Sequence, residues 1–87
     1  MKILFRVEIF KEGDAYVALC PELNLSSFGE TVEDAKLSIK EAMEAFIEEC
    51  ENMGTLEDVL DEAGFSKTND SWVPRSPLIE EELALSL

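Results

Sequence analysis

The chain has 87 residues, which suits one domain and leaves no room for two full cores. Hydrophobic residues make up 46% of it, enough apolar material for a packed interior and too much for an intrinsically disordered chain. Against 20 Asp and Glu stand 7 Lys and Arg, a formal charge of −13 that repels polyanions and leaves few cations to neutralise phosphates, so direct nucleic-acid binding is not expected.

Residues 2–11 alternate with a period of two. Ile3, Phe5, Val7 and Ile9 fall on one face, and Leu4, Arg6, Glu8 and Phe10 on the other, which predicts a strand. The charges at Arg6 and Glu8 are unlike a signal peptide, and no stretch approaches the roughly 20 apolar residues of a membrane span. A cytoplasmic location follows as the expectation. Glu12-Gly13-Asp14 has turn chemistry and Ala15–Cys20 is a second apolar run, so residues 2–20 read as an antiparallel hairpin. Pro21 cannot donate to a ladder and ends that strand. The short segment Leu23–Phe28 reads as a third strand leading to Gly29.

Thr31 is a candidate N-cap, with Glu33 and Asp34 at the positive end of the helix dipole. Val32, Ala35, Ile39, Met43, Phe46, Cys50 and Met53 then recur every three or four residues, one apolar stripe on a long helix stopped by Gly54. Leu37 lies off the stripe. Thr55-Leu56-Glu57-Asp58 repeats the capping pattern and predicts a short second helix to about Ala63, closed by Gly64, with Phe65 packing back on the core. Residues 66–71 read as a polar loop, and Trp72–Pro77 as an extended connector, because a residue before proline avoids the helical region. Leu83, Leu85 and Leu87 alternate with Ala84 and Ser86 and predict a terminal strand, with a short helix as the alternative. If it is a strand, it pairs with a sheet edge, its own or that of a second copy.

The fold class is therefore α+β: an antiparallel sheet covered on one face by one long helix, with a short second helix and a C-terminal strand. Residues 1–54 form the β-β-β-α core, and 55–87 complete the same domain with helix, linker and strand. A domain this small buries only about 60% of its unfolded surface, so oligomerisation as a dimer or tetramer is a plausible supplement.

Little here suggests catalysis. There is no histidine, hence no Cys–His pair and no commonest general base or metal ligand. Cys20 and Cys50 read as reduced, mostly buried thiols. Glu48, Glu49, Glu51 and the Glu80-Glu81-Glu82 run could hold a divalent cation, but read better as solvated faces of a helix and a tail. The four glycines match turns and helix stops rather than a phosphate loop. No catalytic residue, cofactor or metal ligand is assigned. Tyr16, Phe28 and Trp72 are candidate partner-binding residues, since aromatics are enriched at interfaces, with packing as the competing role. Trp72, in polar surroundings, favours a docking contact.

Ala15-Tyr16-Val17-Ala18-Leu19-Cys20-Pro21-Glu22-Leu23, followed by Gly29-Glu30-Thr31-Val32-Glu33-Asp34-Ala35 and an amphipathic helix, resembles the HicB-like antitoxin family over residues 2–50. The resemblance rests on the order and spacing of a Tyr-Val-Ala strand, a Cys-Pro-Glu-Leu turn and a helix entry. Glu22, inside that turn, joins the candidate partner-binding residues. The resemblance implies a β-β-β-α-β core similar to a truncated RNase H fold without a working nuclease site. It also implies binding and neutralisation of a small, basic, RNA-cleaving toxin of HicA type. Many family members add a C-terminal DNA-binding domain; here only about 35 residues follow the core, with an acidic end and no helix of clustered Lys or Arg. The alternatives are a homo-oligomeric regulatory or structural module with an unrelated partner and, by fold analogy alone, a vestigial or metal-dependent nuclease.

Overall fold

A computed structural model describes residues 1–87 and has the α+β architecture that the pattern predicts. The strands are β1 (Lys2–Ile3), β2 (Glu8–Glu12), β3 (Ala15–Cys20), β4 (Leu25–Gly29), β5 (Ser66–Thr68) and β6 (Ser71–Val73). The helices are α1 (Val32–Met53) and α2 (Leu56–Glu62), with a 3-10 turn at Pro21–Leu23. No helix is long and apolar enough to cross a membrane.

Two three-stranded sheets form, β2-β3-β4 and β1-β6-β5. The first is antiparallel, as expected; the second is mixed, because β1 pairs with β6 in parallel. The single strand expected over residues 2–11 is divided, since its two halves have different partners. The division falls beside two prolines: the β2–β3 ladder ends at Glu8–Leu19, two residues before Pro21, and the β1–β6 ladder at Ile3–Trp72, two residues before Pro74. At the tip of the β2–β3 hairpin Gly13 takes φ 62°, the positive first position of a two-residue turn.

Helix α1 begins and ends where its caps predict. The Asp34 N–H donates to the Thr31 hydroxyl at 3.0 Å. At the other end Gly54 takes φ 72°; Thr55 N–H reaches the Cys50 carbonyl at 2.9 Å and Gly54 N–H the Glu51 carbonyl at 3.1 Å, which closes the last turn as a Schellman motif. Helix α2 ends in the same way, with Phe65 N–H on the Leu60 carbonyl and Gly64 N–H on that of Asp61. Thr55 does not cap α2 with its side chain, contrary to the sequence pattern. Only two residues separate the helices, and its hydroxyl turns back to the Cys50 carbonyl at 3.4 Å.

The apolar stripe of α1 buries Ala35, Ile39, Met43 and Cys50; Phe46 is half-buried, and Val32 and Met53 at the ends are exposed. Two apolar clusters result. One joins Ala18, Cys20, Ala35, Ile39 and Met43 under the antiparallel sheet. The other joins Cys50, Leu56, Leu60, Phe65 and Trp72 beneath α2. Phe5 and Leu23 touch both, so the segment after residue 54 adds the second cluster to a core it shares with the first. Phe5 meets Phe65 edge to face, ring centres 6.1 Å apart.

Two expectations fail in the C-terminal third. Residues 66–71 are not a loop: Ser66–Thr68 and Ser71–Val73 form a hairpin turned at Asn69-Asp70, with Asn69 at φ 56°. Leu83, Leu85 and Leu87 form no strand and touch no sheet edge of their own chain; residues 79–87 have no regular structure, and all three leucines are exposed. The C-terminal strand of the fold is β6, whose local sequence is too short to show a period of two.

Candidate partner-docking face

Residues paired directly across an antiparallel ladder point to the same side of the sheet. The register aligns Ile9, Ala18 and Ser27 in one row and Lys11, Tyr16 and Gly29 in the next. These rows face α1. Ala18, Ser27, Gly29 and Ala35 are small, which lets the helix lie close on β4. The approach is tightest at Gly29, where a Cβ would sit 2.6 Å from the Ala35 backbone nitrogen and 2.6 Å from the Asp34 Cβ.

The intervening positions point the other way, where no helix lies. Phe10, Val17 and Phe28 form a row straight across β2, β3 and β4, with Leu19 beside it in the row Glu8–Leu19–Ser26. Phe28 is 72% exposed and Phe10 52%. Glu8 and Glu12 flank Phe10 along β2 on this side. The outer face of the sheet is thus an uncovered apolar band beside carboxylates, in a chain with few cations to offset them. Exposed apolar patches with polar rims mark interaction surfaces, and an acidic rim adds selectivity for a basic partner.

The four residues singled out from the sequence are not brought together. Only Phe28 lies on this band. Tyr16 lies on the opposite side, half-buried, and packs on the first cluster. Glu22, in the 3-10 turn, is held by Arg6 at 3.1 Å, its side chain only 12% exposed; its Oε1 is buried without a hydrogen-bond partner. Trp72 corrects the expectation of a docking contact: it is 6% exposed, in the second cluster beneath α2. Its polar neighbours misled because its parallel pairing partner, Ile3, is far away in sequence. Lys67 lies over its ring, Nζ 5.9 Å from the ring centre. Phe10 and Val17 are members of the band that sequence reasoning missed. The signal was there, since Phe10 breaks the polar face of its strand and the turn at Gly13-Asp14 sets it opposite Val17.

Both cysteines are free and buried. Burial raises the Cys20 thiol above its ordinary value of 9.0, helped by the nearby Glu22 charge and opposed by the Leu23 and Glu22 backbone amides. Cys20 is therefore a protonated packing group at neutral pH and a poor nucleophile.

Comparison with protein-family models, curated proteins and solved structures returns no match.

Proposed function

We propose that this chain is a HicB-like antitoxin that acts as a non-enzymatic binding module in the cytoplasm, neutralising a small basic RNA-cleaving toxin of HicA type. The observation that carries the reading is the exposed Phe10–Val17–Phe28 band flanked by Glu8 and Glu12. Three further features support it: the ordered motifs of residues 15–35, the β2-β3-β4-α1 succession and the charge of −13. In this reading the carboxylates speed encounter with a cationic partner and set its orientation, while burial of the aromatic band supplies most of the affinity.

The test is capture from the native cell with wild-type protein and with Phe28→Asp. A small basic protein should co-purify with the wild type and be lost with the variant, and the purified complex should suppress RNA cleavage by that partner. Phe28 is exposed, so the variant should keep its circular dichroism and stability. Capture that yields no basic protein, or a complex indifferent to Phe28→Asp, would sink the reading.

A further inference from the structure

The edge strand of a sheet carries a row of backbone groups with no partner until another strand arrives. In the sheet β2-β3-β4, β2 is such an edge, paired with β3 alone. The two-residue turn fixes which of its groups are free. Glu12 and Ala15 flank that turn and exchange hydrogen bonds, and the antiparallel ladder alternates from there. Glu8, Phe10 and Glu12 therefore bond to β3, while Ile9 and Lys11 direct N–H and C=O away from it. No hydrogen bond from elsewhere in the chain reaches the backbone of Ile9 or Lys11. The strand keeps its register over five residues with no proline and no bulge, so the edge is open to pairing. The other edges offer less: β1 and β5 have two and three residues, and α1 lies close on β4.

The charges along β2 decide what can pair there. On the outer face Glu8 and Glu12 stand either side of Phe10, and all three are exposed. A second copy is a poor occupant. Paired antiparallel about Phe10, it would set each Glu8 opposite the other chain's Glu12, and each chain brings a charge of −13. A strand with cations at those two places and an apolar residue between them would meet opposite charges. It would also lengthen the Phe10–Val17–Phe28 row by one residue.

We infer that β2 takes up an extended segment of the basic partner as a further antiparallel strand, in which two Lys or Arg flank an apolar residue at alternate positions. The inference rests on the outer face being a dock for a cationic partner, and adds the form in which that partner is held. Main-chain bonds to Ile9 and Lys11 attach the segment whatever its sequence, and Glu8, Phe10 and Glu12 select the sequence.

The full chain and the synthetic peptide Thr-Lys-Thr-Phe-Thr-Lys-Thr test it by amide NMR. Adding peptide should shift the Ile9 and Lys11 N–H resonances and slow their hydrogen exchange. Thr-Glu-Thr-Phe-Thr-Glu-Thr should bind at least about tenfold more weakly, since two favourable cross-strand pairs become repulsive. Lys11→Pro removes one free N–H and leaves the β3 ladder intact, so it should keep the circular dichroism and lose the peptide; Lys11→Ala should retain it. A second arm leaves the protein untouched. N-methylation of the two threonines beside phenylalanine should abolish binding, whereas N-methylation of the phenylalanine should be tolerated. A peptide that does not bind, that binds equally well with Glu in place of Lys, or that tolerates both N-methylation patterns would overturn the inference. So would Ile9 and Lys11 amides already protected without peptide in a sedimenting dimer, which would put a second copy on the edge. A basic toxin captured equally by wild type and Lys11→Pro, but lost with Phe28→Asp, would overturn the edge strand and leave the docking face standing.

Discussion

Replacing Gly29 with alanine adds one methyl group at the tightest contact between β4 and α1. Gly29 is not at positive φ, so the backbone tolerates alanine and the penalty is steric. The new Cβ would lie 2.6 Å from the Ala35 nitrogen, 2.6 Å from the Asp34 Cβ and 2.7 Å from the Asp34 carbonyl carbon. All three atoms belong to the first turn of α1, so no side chain can swing aside and the helix start must move. Overpacking of this kind costs about 1–3 kcal/mol. Moving the first turn also strains the 3.0 Å bond from Asp34 N–H to Thr31, and losing an N-cap costs typically about 1 kcal/mol. The sum is about 2–4 kcal/mol, a large share of the stability of a domain this small. In an open position Gly→Ala would stabilise by about 0.4–1 kcal/mol, so the sign of the effect is itself diagnostic. Urea unfolding should show the loss as a lower midpoint at unchanged slope, and thermal unfolding as a midpoint lowered by about 4–8 °C per kcal/mol. A loss below about 1 kcal/mol, or any gain, would refute the close approach.

Phe46→Ala should cost about 2 kcal/mol in urea unfolding, below the roughly 3–5 kcal/mol of a fully enclosed phenylalanine, because Phe46 is only half-buried. Trp72→Phe should change stability by less than about 1 kcal/mol: it loses packing but removes an indole N–H that is buried without a partner. Cys20 stabilises the fold below its ordinary value of 9.0, where folded and unfolded chains are both protonated, and this contribution fades as pH rises through the higher folded value. Unfolding midpoints should therefore fall above pH 9.0, and less so in Cys20→Ala. Iodoacetamide should modify Cys20 far more slowly in the native protein than in urea.

Local signals in the sequence suffice where local chemistry decides the outcome. The Thr31 cap, the Gly54 stop, the Gly13-Asp14 turn and the Pro21 strand end all depend on residues within a turn of one another. The α1 stripe is legible along its middle and not at its ends, where Val32 and Met53 are exposed although they keep the spacing. What was missed depends on distant partners. Ser66–Thr68 has no apolar residue, and it is a strand only because β6 lies beside it. Trp72 is buried because Ile3 and α2 come together over it. The alternation of Leu83, Leu85 and Leu87 is real, but a pattern states which side would be buried, not whether the same chain supplies the cover. In the candidate site, Phe28 stands out in the sequence and its row-mates do not, since a row across three strands exists only once the register is fixed.

The parallel pairing of Lys2 and Ile3 with Ser71 and Trp72 ties the first residues of the chain to a hairpin about 70 positions later. Closing so long a loop is entropically costly and slow compared with forming the β2–β3–β4 meander and α1. During synthesis the chain can assemble the first apolar cluster from residues up to Met43, while Ile3 and half of Phe5 wait for β6 to emerge. The folding barrier is then crossed before the two ends meet. Ile3→Val should accordingly quicken unfolding and leave the refolding rate nearly unchanged, whereas Ile39→Val should slow refolding. Equal slowing of refolding by both would mean that the ends of the chain close the structure first.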